Sequence, residues 1–102
     1  MNILIDMPKD IPEEIDFGVK WKNKYLRPSK HAVYELISLG YDLYDILKIL
    51  EEGYDCRKGK RAKKTYEKCI KKGRKIIKVV VVGVHAYDID EEIWLIKHVG
   101  GV

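Results

Sequence analysis

Glutamine is absent from this 102-residue chain, and asparagine occurs only as Asn2 and Asn23. Scarce amides beside abundant Lys, Glu, Asp, Ile and Val point to a thermophile composition. Cysteine is almost missing too. Cys56 and Cys69 are too few and too isolated for a disulfide framework or a zinc site, so two reduced thiols are expected. No apolar run approaches the ~20 residues of a transmembrane helix, the longest being Val79–Val84, so no membrane partner is expected. Residues 1–6 lack a basic n-region and an extended apolar stretch, so secretion is not expected and a cytoplasmic location is. Gly/Ser linkers and internal repeats are also lacking, and 102 residues suffice for a single domain.

What the chain has in abundance is charge, unevenly placed. Its net charge of +4 comes from 20 basic and 16 acidic side chains. Residues 57–78 hold 12 Lys/Arg against the single acid Glu67, a local balance of +11 that leaves −7 for the remainder. A mildly acidic body therefore carries one intensely basic segment.

Hydrophobic spacing divides the chain into elements. Residues 1–14, with Pro8 and Pro12, read as a short strand or arm and a loop. Ile15, Phe17, Val19 and Trp21 alternate with Asp16, Gly18, Lys20 and Lys22, the period of a half-buried strand. Ser29 is placed to cap a first helix whose stripe is Ala32, Val33, Leu36 and Ile37, with Gly40 as its terminator. Asp42 and Asp45 are spaced as an N-cap and its third helical residue. Leu43, Ile46, Leu47 and Leu50 then form the face of a second helix, closed by Gly53. Residues 54–64 read as an exposed basic connection. Residues 65–72 fit either a helix (Ala62, Tyr66, Cys69, Ile70) or a strand (Tyr66, Lys68, Ile70) turning at Gly73-Arg74. Residues 75–84 are too β-branched for a helix and, being apolar on both faces, belong at the centre of a sheet. A polar loop over 85–92 leads to a last apolar strand over 93–99. The expected class is α+β, two short helices packed on an antiparallel sheet of three to five strands.

The basic segment is the first candidate site. Arg57, Lys58, Lys60, Arg61, Lys63 and Lys64 are dense enough to neutralise several phosphates, and Tyr66 offers a stacking face among them. The expected partner is RNA or the ribosome; an acidic protein surface is the alternative, and plain solvation of a Lys-rich face the third reading. His31, His85 and His98 are the candidate general acids or bases, though each also fits a structural or surface role. His98 stands out because Gly100-Gly101 leaves its strand end accessible. H-x-E, H-x-x-x-H, C-x-x-C, G-x-S-x-G and a phosphate-binding glycine loop are all missing, so no metal and no cofactor is expected. The acidic stretch Asp88-Ile89-Asp90-Glu91-Glu92 lacks the spacing of a calcium loop and reads as a solvated turn or a partner for the basic segment.

From the first helix onward the order of motifs is distinctive: Ser29-Lys30-His31-Ala32, then Leu39-Gly40-Tyr41, then Glu51-Glu52-Gly53. After the basic stretch and Gly73 come Lys78-Val79-Val80-Val81-Val82 and Trp94-Leu95-Ile96-Lys97-His98-Val99-Gly100. This order resembles a family of small prokaryotic proteins of unknown function, distantly related to the RelE/ParE toxin superfamily. The resemblance covers roughly residues 24–101, with residues 1–23 as an added N-terminal strand or arm.

The resemblance implies a RelE-like fold and a strand over residues 65–72. It also implies a toxin-like RNA- or ribosome-binding protein, extending to metal-independent mRNA cleavage. His98 matches the late-strand proton-transfer position, with Arg74 and Lys78 as phosphate stabilisers. An acidic antitoxin-like protein is a further partner it implies, while sheet-edge pairing of so small a core offers a homodimer as another expectation. The chain departs from the relatives in two places. They carry arginines four and eight residues after the helix histidine, where this sequence has Glu35 and Leu39. No Tyr or Arg follows His98, unlike the usual toxin ending.

Overall fold

Strand pairing organises the chain. This computed structural model describes residues 18–56 and 63–102. A short hairpin comes first, β1 (Lys20–Trp21) and β2 (Lys24–Pro28), joined through Lys22 and Asn23. Both turn residues have positive φ, 49° and 65°, as a two-residue hairpin turn matching the strand twist requires. Pro28 ends β2, and Ser29 Oγ accepts from the Ala32 N–H at 3.1 Å, starting α1 (Lys30–Leu39). Gly40, at φ 71°, closes that helix in the left-handed region. α2 (Leu43–Glu52) opens with a reciprocal capping box. The Asp45 N–H donates to Asp42 Oδ1 and the Asp42 N–H to Asp45 Oδ2, each at 2.9 Å.

Four more strands follow: β3 (Tyr54–Asp55), β4 (Thr65–Lys72), β5 (Lys75–Ala86) and β6 (Glu91–Gly101). The order across the sheet is β1-β2-β6-β5-β4-β3. Gly73, at φ 62°, supplies the β4–β5 turn expected from the sequence, and β5 lies between β6 and β4 as its two apolar faces require. One face of this sheet packs on the helices. Ala32, Val33 and Leu36 of α1 and Leu43, Ile46, Ile49 and Leu50 of α2 cluster with Leu26, Ile77, Val79, Val81, Trp94, Ile96 and Val99. Each Val, Leu or Ile among them contributes ~1.5–3 kcal/mol by leaving water. Ile37, expected on the buried stripe of α1, is 42% exposed, and Ile49 takes the buried place on α2 beside Leu50.

The expected class needs correction. The chain is not two helices on an antiparallel sheet of three to five strands, and the RelE-like class is not supported. The described residues form a six-stranded mixed sheet, a half-barrel, and 51% of them are in its strands. The mixed character comes from one pairing. β2 runs parallel to β6, with Leu26 opposite Trp94 and Pro28 opposite Ile96. Two of the six strands hold only two residues, too short to give a period-two signal in the sequence. Residues 65–72 are a strand, as the resemblance implied. The reduced thiols are a second correction: Cys56 and Cys69 form a disulfide, their Cα atoms 5.3 Å apart, because β3 pairs Tyr54 directly with Cys69. The alternating residues Ile15 and Phe17 lie outside the described residues, while Val19 and Trp21 are buried as expected.

Two local features position the site described next. Because β2 stops at Pro28, no strand among the described residues lies on the β2-facing edge of β6 beyond Ile96, and α1 packs there. The β5–β6 register also shifts. Val80 pairs with His98 but Val81 with Ile96, so Lys97 is the extra residue of a bulge. The pairing places Lys78, Val80, His98 and Gly100 on the sheet face opposite the core residues Val79 and Val99.

Candidate functional site

The described part of the basic segment lies mostly at the two ends of the β4–β5 hairpin, with Lys68 and Lys78 along its strands. Lys63 and Lys64 precede β4, whereas Lys71, Lys72, Arg74 and Lys75 surround the Gly73 turn, and all six are exposed. The six strand residues Thr65–Ile70 lie between them, so Lys64 and Lys71 are about 23 Å apart along the strand. Arg57, Lys58, Lys60 and Arg61 lie outside the described residues.

At the first end, lysines from the β1–β2 hairpin gather on a buried aromatic cluster. Trp21, Tyr66 and Trp94 meet with ring centroids 5.1–5.4 Å apart, and the Trp94 indole N–H donates to the Trp21 carbonyl at 2.9 Å. Lys24 Nζ sits 4.9 Å from the Trp94 ring centre, and Lys22 Nζ 5.1 Å from that of Trp21. The Lys64 carbonyl accepts from the Gly83 N–H at 2.9 Å, beside Trp94, which pairs with Gly83 across the strands. A Cβ at Gly83 would lie 3.4 Å from Trp94 Cζ3 and 3.5 Å from Lys64 Cβ, so the missing side chain lets lysine and indole share this spot. Tyr66 packs edge-on against both tryptophans, so its ring is engaged internally.

The three residues placed in the catalytic role are dispersed. Arg74 is in the hairpin turn, and Val80, the cross-strand partner of His98, lies five residue steps, about 17 Å, beyond Lys75 along β5. Lys78 and His98 are diagonal neighbours on one face. Lys78 lines an open cleft with Tyr54, Cys56, Glu67 and Ile76.

His98 is instead joined to α1. Its Nδ1 lies 2.9 Å from Glu35 Oε2, and the same oxygen lies 3.3 Å from His31 Nε2, one helical turn back along α1. Glu35 Oε1 accepts the Val99 N–H at 2.8 Å, so the carboxylate occupies the edge that β2 leaves open. One donor atom from each of His31, Glu35 and His98 lies within 4.8 Å of the other two. Gly100 leaves room over the His98 ring, since a Cβ there would be 3.2 Å from Cε1. Among the described residues this is the one group of three or more His, Cys, Asp or Glu side chains able to share an ion. The third histidine is held differently: His85 Nδ1 and Nε2 each lie 3.0 Å from a carboxylate oxygen, of Glu92 and Asp90 respectively.

Two groups escaped sequence reasoning. Lys22 and Lys24 were readable as basic neighbours of Trp21, yet the approach of Lys24 and Lys64 to Trp94 depends on the sheet order. His31 and Glu35 are four apart and share a helix face, but their partner His98 is more than sixty residues away. No family model, curated protein or solved structure matches this chain. Among the described residues no helix is long and apolar enough to cross a membrane.

Proposed function

We propose that the chain binds the phosphate backbone of RNA at the lysine-bearing aromatic end of its sheet. The observation carrying this reading is the gathering of Lys22, Lys24 and Lys64 around Trp21 and Trp94, with Lys63 adjoining. The Lys22 and Lys24 ammonium groups lie over the indole rings, which fixes their positive charge at the aromatic cluster. Both indoles are only 6% exposed, so they anchor the lysines and offer no face for base stacking. Contact with phosphate and no reading of base edges gives binding that is indifferent to sequence. The exposed cations at the Gly73 turn extend the same field to the other end of the hairpin. The proposal is confined to binding; cleavage by His98 with Arg74 and Lys78 is not carried over, because that trio is dispersed.

The test is a salt titration with a single-stranded RNA. Each phosphate neutralised contributes about −0.7 to the slope of log K against log salt, so replacing Lys22, Lys24 and Lys64 together by Ala should flatten it by about 2. Tryptophan fluorescence reports in the same sample that the aromatic cluster is intact. Salt-independent binding, or a triple variant with an unchanged slope, refutes the reading. Tighter binding to polyglutamate than to RNA reassigns the surface to an acidic protein.

A further inference from the structure

We infer that His31, Glu35 and His98 form a binding site for a divalent transition-metal ion of the zinc type. The donor set is two imidazoles and one carboxylate, which suits borderline first-row ions rather than calcium or magnesium, whose ligands are oxygens. Spacing agrees. Ligands ~2.0–2.1 Å from a tetrahedral Zn²⁺ lie about 3.4 Å from one another. Glu35 Oε2 is 3.3 Å from His31 Nε2 and 2.9 Å from His98 Nδ1, so ion entry needs the second pair to part by a few tenths of an ångström. All three donor atoms already lie within 4.8 Å of one another.

The carboxylate is also oriented. Glu35 Oε1 is held by the Val99 N–H, leaving Oε2 turned toward the two imidazoles. A hydrogen bond of this kind is what fixes the free oxygen of a ligating carboxylate. The donors stand on a helix and on a long strand, elements that hold geometry better than loops. The His31 side chain is 74% exposed, so the site opens to solvent. Three protein ligands leave a fourth position for water or for an oxygen-bearing small anion, the arrangement of open rather than purely structural zinc sites. This site is independent of the proposed RNA-binding end and shares no residue with it.

The test titrates tag-free, non-reduced protein with Zn²⁺ and with Co²⁺, so that the Cys56–Cys69 pair supplies no competing thiolate. One equivalent should bind, Co²⁺ should show the intense visible absorption of a low-coordinate site, and millimolar Mg²⁺ should not compete. His31 and His98 ring resonances should move while those of His85 stay. His31→Ala and His98→Ala should each weaken binding by more than the ~10–100-fold that loss of an outer-shell partner costs; His85→Ala should bind as the parent does. His31 is exposed, so its variant keeps the fold and decides the question even if His98→Ala does not. Absence of saturable binding, unchanged affinity in His31→Ala, or movement of His85 instead overturns the assignment.

Discussion

Breaking the Cys56–Cys69 disulfide has a consequence that can be worked from its place in the chain. The two cysteines are 13 residues apart, and the bond staples the two-residue edge strand β3 to β4. Closing a loop of about 14 residues in the unfolded chain removes roughly 10 cal/mol/K of entropy, or about 3 kcal/mol at 25 °C. For a 102-residue chain with about 2.1 cal/mol/K of unfolding entropy per residue, 3 kcal/mol corresponds to a fall in Tm of about 14 °C. Cys56→Ser is the suitable variant. Cys69 is 3% exposed, and a serine hydroxyl there would add a desolvation cost unrelated to the cross-link. Differential scanning calorimetry should place Cys56→Ser and the reduced parent at nearly the same lowered Tm, with the variant indifferent to reductant. A fall of less than about 4 °C, near 1 kcal/mol, refutes the reasoning by showing that the loop is already constrained in the unfolded chain.

Other expectations can be checked in the same preparations. Gly53→Ala would set a Cβ 2.5 Å from the Ile49 carbonyl oxygen and 2.6 Å from that of Cys69, where backbone must shift; urea unfolding should show a loss toward the upper end of ~1–3 kcal/mol. Gly101→Ala, with nothing within 4 Å of its new methyl, should stay within about 0.5 kcal/mol of the parent. The hydrogen bond from Arg27, at 2.9 Å, holds the Asp88 carboxyl below its ordinary range. A depressed carboxyl stabilises the fold above its unfolded titration range, and that contribution is lost as pH falls through the folded one. Arg27→Gln should therefore move the Asp88 carbon-13 titration upward, and an unmoved midpoint rejects the contact.

Local patterns carried the elements whose cause is local. Ser29, Gly40 and the Asp42–Asp45 pair mark helix ends because caps act over three residues, and the structure uses each in that role. The Val-rich run of β5 was readable because β-branched residues occupy both faces, the one buried on the core and the other half-buried. Long-range pairings had no such signal. The parallel β2–β6 pairing rests on five residues of strand that end in proline, and β3 has two residues. The disulfide was hidden for the same reason, since the Cys56–Cys69 approach follows from β3 lying beside β4.

The cluster at Glu35 shows how a site can depend on a strand being short. Were β2 to continue past Pro28, its backbone would take the Val99 N–H, and Glu35 would have no donor holding its carboxylate at the sheet edge. Pro28 fixes φ near the value a helix start tolerates and lacks an N–H, so it ends the strand, and Ser29 turns the chain directly into α1. The helix then runs along the vacated edge of β6 and delivers His31 and Glu35 to the level of Val99. The bulge at Lys97 resets the alternation of β6, allowing Ile96 and Val99 both to face the core while His98 stays with Val80 on the other face. A regular strand would put Ile96 and His98 on one face, and either the core or the cluster would lose a member. Proline, serine and a one-residue bulge thus bring the helix pair His31 and Glu35 to His98, more than sixty residues away in sequence.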